Sequence, residues 1–327
     1  MWFFRISVAI SLSILVTAVT AQDSVNHHAI RFSVDNDFLN FRMSGTDRYF
    51  TNGIRIDYFY QGSKRRFPVN LLLSINEERN GNTYGLGLAQ FMFTPSTISI
   101  KEIQYDDRPY AGALYGIYSL QSIDKQNKLK LSSEIYFGVI GPLSLADKTQ
   151  TMVHRALNYT IPEGWDNQVP NDVILNYNIS VEKPVLRPAK SISVSGVAET
   201  FSGTLYNSAG AGFFLKVGKF EEPFDILPIN ANAKMKTLKA FVFMRPTVRI
   251  ILSNALLQGG IISRISQNDK GYYLEKDKIK RIGVLYDVGL ALDYRKFSFS
   301  LTQKLRSSEF EGQKNQEIGT VALLLKL

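Results

Sequence analysis

The chain has 327 residues, and its 38 Lys and Arg against 29 Asp and Glu leave a formal charge of +9. With no cysteine at all, disulfide bonds and thiolate chemistry are excluded. Sixteen Tyr and 21 Phe are a heavy aromatic load for a chain whose mean hydropathy is −0.07.

The N-terminus reads MWFFRISVAISLSILVTAVTAQ, with one charge at Arg5, an apolar run from Ile6 to Val19, and Val-Thr-Ala before Gln22. That pattern predicts a secretory leader over 1–21, cut after Ala21, followed by one exported domain over 22–327. Beyond it no run of about 18 apolar residues occurs, so no membrane-spanning helix is expected.

Short segments of strict alternation follow instead. In AIRFSVDND, Ile30, Phe32 and Val34 alternate with Arg31, Ser33 and Asp35, and in RIGVLYDVGLALD the apolar residues from Ile282 to Leu292 take every second position. The same test predicts strands near 30–38, 52–60, 83–92, 111–121, 128–139, 174–183, 190–201, 209–218, 239–251, 279–293, 296–304 and 316–327. Twelve is an even number, and each run is near the ~9–11 residues a tilted strand needs to cross a bilayer. The last, ending GTVALLLKL, can pair with the first, because an open edge is not tolerated in lipid. The expected class is therefore all-β, a closed antiparallel transmembrane β-barrel, with a soluble exported sandwich or barrel as the alternative. With both termini on the inner side, connections 39–51, 93–110, 140–173, 202–208, 252–278 and 305–315 lie outside. The inner connections 61–82 and 219–238 are longer than the short turns expected of such a barrel.

The polar clusters DND, TDRYFTNG, DDRPYAG and GPLSLADKTQTMVHRALNYTIPEGWDNQ all fall at outer strand ends or in outer loops. Within the last, the spacing predicts a helix from Leu145 to Leu157, with Leu145, Met152, Ala156 and Leu157 on one side. Asp147, Gln150, His154 and Asn158 recur on another, and Pro162 and Gly164 end it. His154 is the only histidine away from the His27-His28 pair. Each residue also has a structural reading. Asn36-Asp37 can end a strand and start a turn, and by strand parity the two point to opposite faces. Asp107 and Arg108 can pair with one another, Trp165 can plug a loop, and Lys64, Arg65 and Arg66 fit a solvated turn.

Taken in order, Asn36-Asp37, Thr51 in YFTNG, DRPYAG at 107–112, Gly141-Pro142, Gln150, His154 and GWDNQ at 164–168 resemble the LpxR-like lipid A deacylase family. The resemblance implies a twelve-stranded outer-membrane barrel that hydrolyses the 3′-O-linked acyloxyacyl group of lipid A and requires calcium. It implies His154 as general base with Gln150, Thr51 and Asn36 around it, and the Asn-Asp pair at Asn36 and Asp37. The family's acidic residue between histidine and tryptophan finds Glu163 as the only carboxylate in that interval, three positions from strict correspondence. The chemistry stands beside the resemblance: a neutral imidazole can take a proton from water, and Asn36, Asp37 and Glu163 offer the hard oxygens calcium takes. No serine sits in a G-x-S-x-G elbow, so water is expected as nucleophile rather than an acyl-enzyme. The alternatives are an outer-membrane phospholipase, which would use a serine, and a passive pore or structural barrel, which predicts a wide polar lumen. Expected partners are lipid A and the surrounding outer-membrane lipid, whose phosphates suit the basic charge, with no nucleic acid and a monomeric assembly.

Overall fold

Alternation becomes a ladder of twelve strands: β1 (His28–Asn36), β2 (Tyr49–Tyr60), β3 (Asn82–Thr94), β4 (Ala111–Asp124), β5 (Leu129–Ile140), β6 (Asp172–Ala189), β7 (Ile192–Gly203), β8 (Tyr206–Lys219), β9 (Lys239–Asn254), β10 (Ile282–Tyr294), β11 (Phe297–Arg306) and β12 (Gln316–Lys326). In this computed structural model residues 28–40, 48–61, 71–75, 81–220, 237–265 and 271–327 are described. The leader over 1–21, His27 and the basic run at 64–66 lie outside the described residues, as does most of the inner connections 61–82 and 219–238. Each strand pairs antiparallel with its chain neighbour, and β1 pairs with β12 from Ala29↔Lys326 to Asn36↔Gly319, so the sheet closes without an edge.

Strand ends depart from the sequence expectation where turn chemistry does not mark them. β6, expected over 174–183, runs on to Ala189 through Pro184, and the register slips between Pro184 and Leu186 because proline brings no N–H to the ladder. Among the described residues three helices stand in the outer connections: α1 (Ala146–Leu157), α2 (Ala255–Gln258) and α3 (Ile261–Ile265). α1 stops before Pro162, because Asn158 takes the left-handed conformation (φ 55°) that asparagine tolerates and caps it.

The two faces of the sheet carry opposite chemistry. On β10 the even-numbered Ile282, Val284, Tyr286, Val288 and Leu290 are exposed outward. The odd-numbered Asp287 and Asp293 point inward to Arg306 (2.6 Å) and Lys326 (2.8 Å). Farther round the bore Asp57 binds both Arg31 (2.8 Å) and Arg55 (2.9 Å), Arg55 also binds Glu134 (3.0 Å), and Lys304 binds Asp35 (2.8 Å). Ion pairs taken out of water persist only when the partners are matched, and each of these carboxylates has a cation within 3.0 Å. Toward the outer end Phe91, Tyr115 and Tyr136 stack in series, at 6.0 and 4.8 Å between centroids. Ala255 and Leu256 of α2 descend onto the same cluster. Ion pairs and aromatic rings from many strands thus project into the bore.

Candidate active site

Register decides which side of the wall the site occupies. Gly319 pairs with Asn36, Asn36 with Asn52, Asn52 with Met92, and Met92 with Gly112, forming one row around the outer rim. Directly paired residues share a face, and alternation puts this row on the same side as the exposed Ile56 and Leu88, outside the barrel. Glycine stands at both ends of the row for steric cause. A Cβ on Gly319 would lie 2.0 Å from the Leu39 carbonyl oxygen, and one on Gly112 would lie 2.1 Å from Ser144 Oγ and 2.5 Å from Ala146 Cβ. Two outer segments therefore cross the outward face of the wall here, the turn Asp37–Leu39 over β12 and the start of α1 over β4.

The first segment turns because Asn36 caps it. Its Oδ1 accepts from Phe38 N (2.7 Å) and its Nδ2 donates to the Thr51 carbonyl (3.0 Å). Asp37 is the first residue of a 3-10 turn and is buried, with Asn40 Nδ2 donating to its carbonyl (2.7 Å). Strand parity, which sent Asn36 and Asp37 to opposite faces, does not apply, since the extended backbone ends at Asn36. Thr51 is the extra residue of a bulge: pairing passes from Phe50↔Phe93 to Asn52↔Met92, and its hydroxyl lies 3.0 Å from that of Thr94.

The second segment carries the imidazole. His154 is buried, and its Nδ1 lies 2.6 Å from the Thr160 carbonyl oxygen. A carbonyl oxygen only accepts, so Nδ1 carries a proton, and in the neutral imidazole Nε2 is then the acceptor nitrogen. The ring meets Tyr159 edge-on (5.9 Å between centroids), and Tyr159 stacks on Phe38 (5.9 Å). That aromatic bridge joins His154 to the turn that begins with Asp37. One helical turn earlier, Gln150 is buried at 2% exposure and its Oε1 accepts from Trp165 Nε1 (2.8 Å). Trp165 in turn packs on Tyr110 (4.9 Å) over Met92 and Ala146, so it plugs the loop. The Gln150 Nε2 donors, aimed by that bond, have no partner among the described residues.

Glu163 is placed differently. Its side chain is exposed and its N–H donates to Ile98 O (2.9 Å), beside Gly164, where a Cβ would meet Tyr110 Cε2 at 2.5 Å. Among the described residues no three His, Asp or Glu side chains converge on a metal-sized site. The structure thus unites Asn36, Asp37 and Thr51, attaches His154 through Phe38 and Tyr159, orients Gln150 through Trp165, and leaves Glu163 on the solvent side. The Asp107 and Arg108 side chains form no ion pair with each other. Asp107 accepts from the Ser96 N–H (2.8 Å) and the Arg108 backbone N–H (2.7 Å), while the buried Arg108 guanidinium reaches Glu309 (2.5 Å) and lies over the Phe93 ring (4.3 Å). Phe38, Tyr159 and Trp165 are the members of the site whose positioning role sequence reasoning missed, since their partners are distant in the chain.

A family model described as "Outer membrane protein LpxR" matches residues 6–327. The chain belongs to the LpxR family. Among solved structures, LpxR from Salmonella typhimurium aligns with a TM-score of 0.72 at 18% identity, covering 91% of this chain and 100% of that one. The β domain of the Bordetella autotransporter BrkA aligns at TM-score 0.46 and 8% identity over 93% of this chain and 100% of that one, a likeness too slight to argue from. A search of curated protein sequences gave no significant match. As an LpxR-family barrel the protein resides in the outer membrane, and its rim row lies on the outward side of the wall, beneath the two covering segments, rather than in the bore.

Proposed function

We propose that this LpxR-family barrel is a lipid A deacylase that removes the 3′-O-linked acyloxyacyl group by attack of water on the ester, with His154 as general base. The observation that supports the reading is the 2.6 Å contact of His154 Nδ1 with the Thr160 carbonyl, which in a neutral ring assigns the N–H to Nδ1 and the lone pair to Nε2 on a helix crossing the outward side of the wall. Nε2 takes the proton from water as the water oxygen bonds to the ester carbon. When the sugar alkoxide leaves, the imidazolium returns that proton to it, so charge and protons balance. General base help of this kind is worth ~10²–10⁴-fold. The Gln150 amide, oriented by Trp165, brings N–H donors to the oxyanion, and one such donor supplies a factor of about 10²–10³.

The oxygens at the Asn36–Asp37 turn suit a calcium ion: a buried carboxylate at Asp37 beside the neutral oxygens of Asn36 and Thr51, while the exposed Glu163 stays on the solvent side. When bound, calcium would supply polarisation of the ester carbonyl. Asp37 and Asn36 position that end of the site through the Phe38 and Thr51 backbone bonds already described.

The test is mass spectrometry of lipid A from cells with and without the protein. Loss of one acyloxyacyl unit is expected. Unchanged lipid A, with fatty acid released from phospholipid instead, overturns the reading in favour of a phospholipase.

A further inference from the structure

The polarity of α1 is inverted relative to a helix on a water-facing surface. Its buried positions are Ala146, Gln150 and His154, while Met152 and Val153 are 65% and 43% exposed and Leu143, just before the helix, is 60% exposed. An amphipathic helix in water buries its apolar stripe and shows its polar one. We propose that α1 is immersed in the outer leaflet, with Leu143, Met152 and Val153 among the acyl chains, so that the polar face behind them receives substrate directly from the bilayer.

Continuity with the lipid-facing wall identifies the occupant. α1 starts against Gly112, on the outward side of β4. The Leu143 N–H donates to Asn171 Oδ1 (2.8 Å), beside the start of β6, where Val173 and Leu175 point outward at 51% and 62% exposure. Exposed apolar side chains reach the outer ends of other strands as well, at Leu252 and Ile282, so the apolar belt extends to the height of the rim. The helix face therefore prolongs a surface that already meets lipid. Lys148 and Arg155 are exposed on the same helix and are long enough to carry their charge to the headgroups while their stems stay apolar. Immersion stands on this geometry alone, whereas delivery of substrate rests on the deacylase reading above.

Because the chain has no cysteine, single cysteines report position cleanly. The full-length protein is reconstituted in vesicles containing lipopolysaccharide, with a nitroxide attached at Met152→Cys or Val153→Cys, and at Leu175→Cys and Lys148→Cys as references. Collision with dissolved oxygen exceeding collision with a water-soluble nickel chelate at 152 and 153, as at 175, is the expected result. Nickel access at 152 and 153 equal to that at 148 overturns immersion, and so does shielding from both reagents, which would mean that a protein partner or a second copy covers the face. For delivery, Met152→Lys with Val153→Lys is expected to slow cleavage of bilayer-embedded lipid A on the order of tenfold or more, from lost apolar contact, while leaving cleavage of a detergent-dispersed short-chain ester unchanged. Equal loss on both substrates, or no loss on either, overturns delivery. If the unmodified protein cleaves neither, the deacylase reading fails while the nitroxide result still decides immersion.

Discussion

Gly112→Ala perturbs the site without touching a reacting group. The added methyl would lie 2.5 Å from Ala146 Cβ and 2.1 Å from Ser144 Oγ. The serine hydroxyl donates to Gly141 O (2.6 Å) and can rotate only by giving up that bond, whereas Ala146 is fixed at the first turn of α1. Carbon atoms settle at ~3.5–4.0 Å, so α1 must withdraw by about 1 Å or more. Overpacking of this kind costs about 1–3 kcal/mol, and the strain falls on the helix because the strand ladder below is closed and continuous. A displacement of ~1 Å of positioning groups can lower a rate by roughly 10². The variant is therefore expected to migrate as a heat-modifiable barrel on electrophoresis and to release acyl groups from lipid A about a hundredfold more slowly. Gly283→Ala is the control, since its Cβ would approach Ile251 Cδ1 most closely, at 3.3 Å, the movable end of a side chain, with Leu285 Cδ1 and the Arg249 carbonyl at ordinary contact of 3.8 and 4.0 Å. A folded Gly112→Ala protein with the full rate of the parent would refute the claim that close contact between β4 and α1 sets the geometry of the site.

His154→Asn fills similar space but cannot take the proton, so deacylation should fall by ~10²–10⁴ while heat-modifiability is kept; a near-parental rate would remove His154 as base. Trp165→Phe keeps the ring over Tyr110 and deletes the donor to Gln150 Oε1, and loss of one hydrogen bond predicts a decrease of roughly tenfold in kcat with KM little changed. A change confined to KM would contradict an orienting role. Exhaustive chelation should abolish turnover, and Asp37→Asn should raise the calcium concentration needed to restore it. Full activity after chelation would take the metal out of the proposal.

The barrel was legible in the sequence because period-two alternation is a local signal: the outward residues of β10 are those the pattern picks from Ile282 to Leu292. Strand limits were less so. β2 begins at Tyr49 rather than near 52, because a bulge at Thr51 interrupts alternation without ending the pairing. In the site, the one-turn spacing of Gln150 and His154 was visible, but the direction of that face was not. It depends on Gly112 admitting Ala146 and on Trp165 arriving from the far side of the loop, neither of which leaves a periodic trace. The Arg108 partner, Glu309, is 201 residues away, and no local pattern could name it.

An outward position on a membrane barrel is a hostile place for amide side chains, since lipid offers them no partners. The rim row nevertheless includes Asn36 and Asn52, with Gln90 one row below on the same face. The covering segments supply what lipid withholds: the Asn36 amide is bonded at both ends by the Phe38 N–H and the Thr51 carbonyl, and Gln90 Nε2 donates to the Ser144 carbonyl (2.7 Å) just ahead of α1. These bonds need the two segments to lie against the wall, and the wall admits them only where glycine removes a side chain, at Gly319 and Gly112. Polar satisfaction and site assembly are consequently one requirement. The contacts that make an outward amide tolerable are those that set the Asp37 turn and the His154 helix on either side of the same few strand ends.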